Sequence, residues 1–308
     1  MNILRATFPL ALLAVHGMAI AATPSTDGLA ERVNASIREA FCPKPAAPAA
    51  GATAAAQPAD AALEPARVFD DLYFVGDRST SSWVLTTPEG YILFDAGFHG
   101  MVEGTIVGGM QKLGLDPAKI RYVIVSHGHN DHFGGAQFLQ SKYGARIVLS
   151  AADWEHMRTW PQRGSPAPFP KDDVVVKDGD TVTLGGVTVR MVITPGHTPG
   201  TLSPLFTVHD RGQPHVVGYW GGDGAGYLDQ PGLRQYMASA QRFATLEPKA
   251  DVPLSNHVVA DGTVEKLALL KARKAGEPNP FVTTNAQFRA WAGQLRSCAE
   301  AFLPTAKP

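Results

Sequence analysis

Three imidazoles and one carboxylate fall within six consecutive residues: His127, His129, Asp131 and His132, in the segment SHGHNDHFGG (residues 126–135). Neutral imidazole and ionised carboxylate are donors that suit zinc, at metal–ligand distances of about 2.0–2.2 Å. The whole chain holds ten histidines, so a cluster this dense reads as a metal site rather than as a solvated polar loop. Gly128 gives the loop room to turn, so that neighbouring side chains converge on one place. The two cysteines, Cys42 and Cys298, form no CxxC pair, which argues against a cysteine-based zinc knuckle.

The elements that must position this cluster follow from periodicity. RYVIVS (residues 121–126) is a continuous apolar run of the kind buried on both sheet faces, and His127 follows it directly. Upstream, Tyr91-Ile92-Leu93-Phe94 reads as a buried strand ending in the turn Asp95-Ala96-Gly97. Strand patterns recur at residues 68–75, 83–86, 145–150, 174–176, 182–184, 187–193, 201–208 and 215–219. Helical patterns cover residues 101–113, 134–143, 151–158, 231–246, 263–273 and 285–302. Two broadly similar halves, each with strands followed by helices, predict an α/β (α+β) fold with sheets inside and helices outside.

Arg5, the apolar run Ala6–Ile20 and the small-x-small triplet Ala19-Ile20-Ala21 predict a signal peptide over residues 1–21. The run falls short of the ~20 apolar residues of a membrane anchor. An N-terminal helical segment is expected over 22–43, with Leu29, Val33, Ile37 and Phe41 on one face. Residues 44–66 are rich in Ala and Pro and read as a linker. The folded domain is expected over 67–308. Export to a bacterial periplasm or medium places Cys42 and Cys298 where a disulfide forms. With 27 basic and 28 acidic residues, the net charge of -1 leaves no footprint for nucleic acid, and no membrane contact is expected after leader removal.

HxHxDH after an apolar strand resembles the metallo-β-lactamase superfamily. The likeness extends to LFDAG (93–97), PGHTPG (195–200), Gly221-Gly222-Asp223 and Ser255-Asn256-His257. It runs from about Arg67 to Val259, and it implies a four-layer αββα sandwich. The resemblance implies a first zinc on His127, His129 and His197, and a second on Asp131, His132 and His257. Asp95 would orient a ligand histidine. A tri-imidazole site leaves one tetrahedral position for water, and a hydroxide between two ions would be the nucleophile.

The features after His132, the exported sequence and the lack of a cysteine near Asp223 resemble the third subclass of metallo-β-lactamases. That implies acyl transfer from a β-lactam amide to water, with a small-molecule substrate carrying a hydrolysable carbonyl. A lactonase, ester or thioester hydrolase is the alternative, with Asp223 bridging the metals. One register puts Asp223 at that bridging position and the other puts Gly224 there. A further alternative is an iron-dependent redox member. Six ligands argue against a non-catalytic binding module, since structural zinc sites use four and are closed.

Overall fold

A computed structural model of the chain describes residues 28–42, 62–162 and 166–308. The expected leader and residues 44–61 of the expected linker lie outside these. In chain order the elements are α1 (Leu29–Phe41), β1 (Ala66–Arg67), β2 (Leu72–Phe74), β3 (Trp83–Thr87) and β4 (Gly90–Phe94). A π-helical segment, Val102–Val107, runs into α2 (Gly108–Lys112), and a 3-10 turn at Pro117–Lys119 leads to β5 (Ile120–Ile124). Then come α3 (Asn130–Phe133), α4 (Ala136–Tyr143), β6 (Arg146–Ser150), α5 (Ala151–Thr159), β7 (Val174–Val176), β8 (Thr181–Leu184) and β9 (Val187–Arg190). The chain closes with β10 (Leu205–Asp210), β11 (Gln213–Trp220), α6 (Gln230–Phe243), β12 (Val252–Ser255), α7 (Val258–Asp261), α8 (Thr263–Ala272) and α9 (Asn285–Phe302).

Local sequence explains several boundaries. Asp229 caps α6 by accepting from Gly232 N, with a proline in the first turn. Thr284 and Gln287 form a capping box at the start of α9. The expected helix over 101–113 begins instead as a π segment. Gly104, Gly108 and Gly109 are poor helix formers, and they weaken the regular ladder there.

Strands β1 to β7 form one sheet in sequential order, antiparallel up to β4 and parallel beyond it. The second sheet runs β12-β11-β10-β9-β8, with only the β11–β12 pair parallel. The two sheets face each other through a shared core. Phe94 stacks on Phe206 at 4.5 Å between ring centroids; Trp83, Ile124 and Val148 on one side meet Val189, Val217 and Leu254 on the other. The outer face of the first sheet packs on Met110, Leu139, Trp154 and Met157. The outer face of the second packs on α1, α6 and α9 through Ile37, Tyr236, Phe243, Phe288 and Trp291. This is the expected four-layer αββα sandwich, and every β4 residue is buried because helices cover one face and the other sheet covers the second.

Two boundaries differ from expectation. Ordered pairing already includes Ala62, which bridges Asp77, and Ala66, which lies in β1, so the domain takes in residues ahead of Arg67. The N-terminal helix α1, expected ahead of the domain, buries Val33 and Ile37 in the cluster on the outer face of the second sheet. A disulfide joins Cys42, just past α1, to Cys298 of α9 across 256 residues of sequence.

Candidate metal centre

The sheet ends converge on one place. β5 delivers Ser126 and His127; the turn after it and α3 carry His129, Asp131 and His132. The loop after β9 carries His197, and the loop after β12 carries His257. Gly128 is needed for close packing more than for a turn. A Cβ there would stand 2.8 Å from Met157 N and 2.9 Å from Asp153 O, both backbone atoms of α5.

The first group of donors is His127 Nε2, His129 Nδ1 and His197 Nε2. Their mutual separations are 3.0, 3.1 and 3.2 Å. Nitrogens bound at about 2.0–2.1 Å to a tetrahedral zinc stand about 3.3–3.4 Å apart, so the tripod has the size of such a site. The second group is Asp131 Oδ2, His132 Nε2 and His257 Nε2, separated by 3.3, 3.4 and 3.8 Å. His127 also lies near enough to Asp131 and His132 to share an ion with them.

Outer contacts fix which nitrogen faces inward. His127 Nδ1 lies 2.8 Å from Gly221 O, His197 Nδ1 2.8 Å from Gly224 O, and His257 Nδ1 3.0 Å from Ser79 O. A carbonyl only accepts, so each Nδ1 carries the proton and each Nε2 presents a lone pair to the centre. His132 Nδ1 faces Asp95 Oδ2 at 3.0 Å. His129 is reversed: Nδ1 faces the tripod, and Nε2 lies 3.5 Å from His156 Nε2.

Electrostatics keep the tripod in its ligating form. Burial pushes His127 well below its usual range, His129 down to about 2 and His197 down to about 3. Burial likewise lowers His257. Burial also works against a charged His132, but Asp131 and Asp95 outweigh it and hold the ring up to about 10. Burial opposes ionisation of Asp131, and the His132 charge and hydrogen bond overcome it, so the carboxyl stays far below its usual range.

Asp95 is fully buried at a left-handed φ of 57°. It accepts from Ser126 N at 2.6 Å, Ser126 Oγ at 2.9 Å and Tyr219 OH at 2.7 Å, as well as facing His132. Asp223 joins neither donor group. Its Oδ2 accepts from Ser255 Oγ, its Oδ1 is buried with no partner among the described residues, and burial pushes its carboxyl up to about 8. At the neighbouring position it is the Gly224 carbonyl, not a side chain, that touches the centre, through His197.

Further residues support the centre, Asp153 from outside every motif and Asn256 from within Ser255-Asn256-His257. Asp153 accepts from Gly128 N at 3.0 Å, Thr198 Oγ1 at 2.6 Å and Gly200 N at 2.8 Å, tying the His127 loop to the His197 loop. Asn256 donates to Gly221 O at 2.8 Å and braces the carbonyl that orients His127. His156, which belongs to none of the motifs, stands beside His129. An aromatic rim surrounds the centre: Phe41 is 6.3 Å from His257, Trp160 is 5.5 Å from His129, and Tyr227 is 5.5 Å from His197, all between ring centroids. Helical spacing of Phe41 gave only a core reading, because the ring reaches the centre across the fold.

Comparison with known proteins gives a consistent picture. The family model of the metallo-beta-lactamase superfamily matches residues 75–210. A hydroxyacylglutathione hydrolase of Acidiphilium cryptum is 31% identical over 186 residues, covering 60% of this chain and 67% of that protein. An N-acyl homoserine lactonase of a Bacillus species is 28% identical, covering 42% of this chain and 59% of its own length. The matches to other curated relatives span roughly half of those proteins. The crystal structure of BJP-1, a subclass B3 metallo-beta-lactamase of Bradyrhizobium japonicum, superposes with a TM-score of 0.66 at 28% identity, covering 77% of this chain and 92% of that one.

Proposed function

The chain belongs to the metallo-β-lactamase superfamily as a metal-dependent hydrolase, and from that premise we propose an exported di-zinc enzyme that uses water to cleave the C–N bond of a β-lactam amide, giving a carboxylate and an amine. The observation that carries this reading is the donor set. Three imidazoles form one tripod, a carboxylate and two imidazoles form the next, and neither a cysteine nor Asp223 joins them.

His127, His129 and His197 would hold one zinc; Asp131, His132 and His257 would hold the other. Bound there, the ions supply Lewis acidity toward a carbonyl and a water acidified to a pKa of about 7. The chain's own residues do the positioning. Asp95 fixes the His132 ring, while Gly221 O and Gly224 O keep His127 and His197 in the ligating tautomer. Phe41, Trp160 and Tyr227 form an apolar rim that shields the reacting carbonyl from bulk water and packs against the substrate's apolar parts.

A second reading, a lactone or thioester hydrolase, draws support from the names of two relatives. Its expected bridging carboxylate is Asp223, which is turned toward Ser255. A hydrolysis panel separates the two: penicillins, a cephalosporin, a carbapenem, homoserine lactones and a thioester, with zinc-loaded protein. The β-lactam reading expects the highest kcat/KM among the first three groups. A lactone or thioester turned over at least tenfold faster than every β-lactam overturns it. For export, the mature N-terminus of periplasmic protein is expected at Ala22; retention of Met1 would refute it.

A further inference from the structure

Four residues beyond His257, at the end of α7, Asp261 forms part of the wall of a separate cavity of about 330 Å³. None of the six clustered donors borders it. Leu29 and Val33 of α1, Pro280 and Val282 of the segment before α9, and Trp291 within α9 give it mostly apolar walls. Cavities of about 300–1,000 Å³ with apolar walls and a few polar groups are typical of small-molecule sites.

The unusual member of the wall is Lys266, which is 3% exposed. Its Nζ donates to Pro253 O at 3.3 Å and stands 5.3 Å from the Phe281 ring centroid. An ammonium has three donors, and among the described residues Lys266 makes no ion pair. Asp261 in the same wall makes no ion-pair contact with it, although its charge and that of Glu265 act on Lys266 from farther away. Asp261 Oδ2 is taken by Ser255 N at 2.8 Å, and Oδ1 by Thr263 N at 2.9 Å and Thr263 Oγ1 at 2.6 Å. Burial lowers the Lys266 pKa and outweighs the opposing charges of Asp261 and Glu265. A buried cation with no carboxylate in direct contact and a single carbonyl acceptor, at the side of an apolar cavity, can pair with a carboxylate that carries an apolar body.

We propose that this cavity is a second binding site, taking an aliphatic or aromatic monocarboxylate whose head pairs with Lys266 and whose body lies against Trp291 and the proline-lined wall. The site is independent of the metal centre, so its failure leaves the hydrolase reading standing.

The test is calorimetric titration of the full chain with octanoate, octanol and octylamine, in zinc-loaded and chelator-treated forms. Octanoate is expected to bind one per chain in both forms, with octanol and octylamine at least tenfold weaker. Lys266→Met should weaken octanoate at least tenfold with the circular dichroism spectrum unchanged. Ala290→Leu, at another cavity-lining position, should weaken it too by narrowing the space, and it decides the matter should the Lys266 variant not fold. Octanoate binding that disappears with the metal, that is equal in either folded variant, or that is absent at millimolar ligand overturns the proposal.

Discussion

Asp95 Oδ2 lies 3.0 Å from His132 Nδ1, with both side chains fully buried. The same carboxylate collects Ser126 N, Ser126 Oγ and Tyr219 OH, so one residue at the end of β4 holds the end of β5, the second sheet and a ligand ring in one geometry. Outer contacts of this kind commonly set metal affinity by about 10–100-fold. Asp95→Asn keeps the size and loses the charge. Competition with a chromogenic chelator is expected to show the weaker zinc site losing affinity by that factor, with turnover restored by added zinc. Unchanged affinity at both sites would remove Asp95 from this role.

His129 contributes Nδ1 to the tripod at 3.0 and 3.2 Å from its two partners. His129→Ala should reduce bound zinc by about one per chain and cut turnover by more than the ~100-fold typical of outer-contact losses, while the circular dichroism spectrum stays native. Near-normal turnover of a substrate from the panel would count against the tripod.

The Cys42–Cys298 bridge ties the end of α1 to α9. A native disulfide contributes about 2–4 kcal/mol, chiefly by restricting the unfolded chain. At roughly 2–4 °C per kcal/mol for a chain of this size, Cys298→Ser should melt about 5–15 °C lower than the oxidised parent and level with the reduced parent. Equal melting of the oxidised and reduced parent would reject a stabilising bridge. Because Phe41 precedes Cys42 and sits by His257, KM should rise along with the stability loss.

Arg273 grips Asp210 with two hydrogen bonds, at 2.9 and 2.7 Å. That grip holds the Asp210 carboxyl below its usual range. A depressed folded-state pKa means the stabilisation is present above the unfolded value of about 3.9 and is lost as pH falls through the folded one. Arg273→Met should therefore cost about 1–3 kcal/mol at pH 7 and progressively less below pH 4. A pH-independent difference in denaturant unfolding would contradict the assigned pair.

The contiguous candidate ligands were legible because HxHxDH is local: residue type and spacing, directly after an apolar strand, are enough to propose a metal cluster. Asn285–Phe302 and Tyr91–Phe94 were legible for the same reason, since caps and periodicity act within a few residues. His197 and His257 came from resemblance, as neither has local spacing to the cluster. The sequence alone left the Asp223 register open and gave His156 no place in a motif. Those points depend on how two sheets pack: His127 meets Gly221 across 94 residues, and His132 meets His257 across 125. Only that packing decides which imidazole nitrogen faces inward, that Asp223 turns toward Ser255, and that Lys266 is buried beside a cavity without an ion partner. Composition and period specify what each segment can become, while contacts between distant segments are settled by the burial of both sheet faces at once.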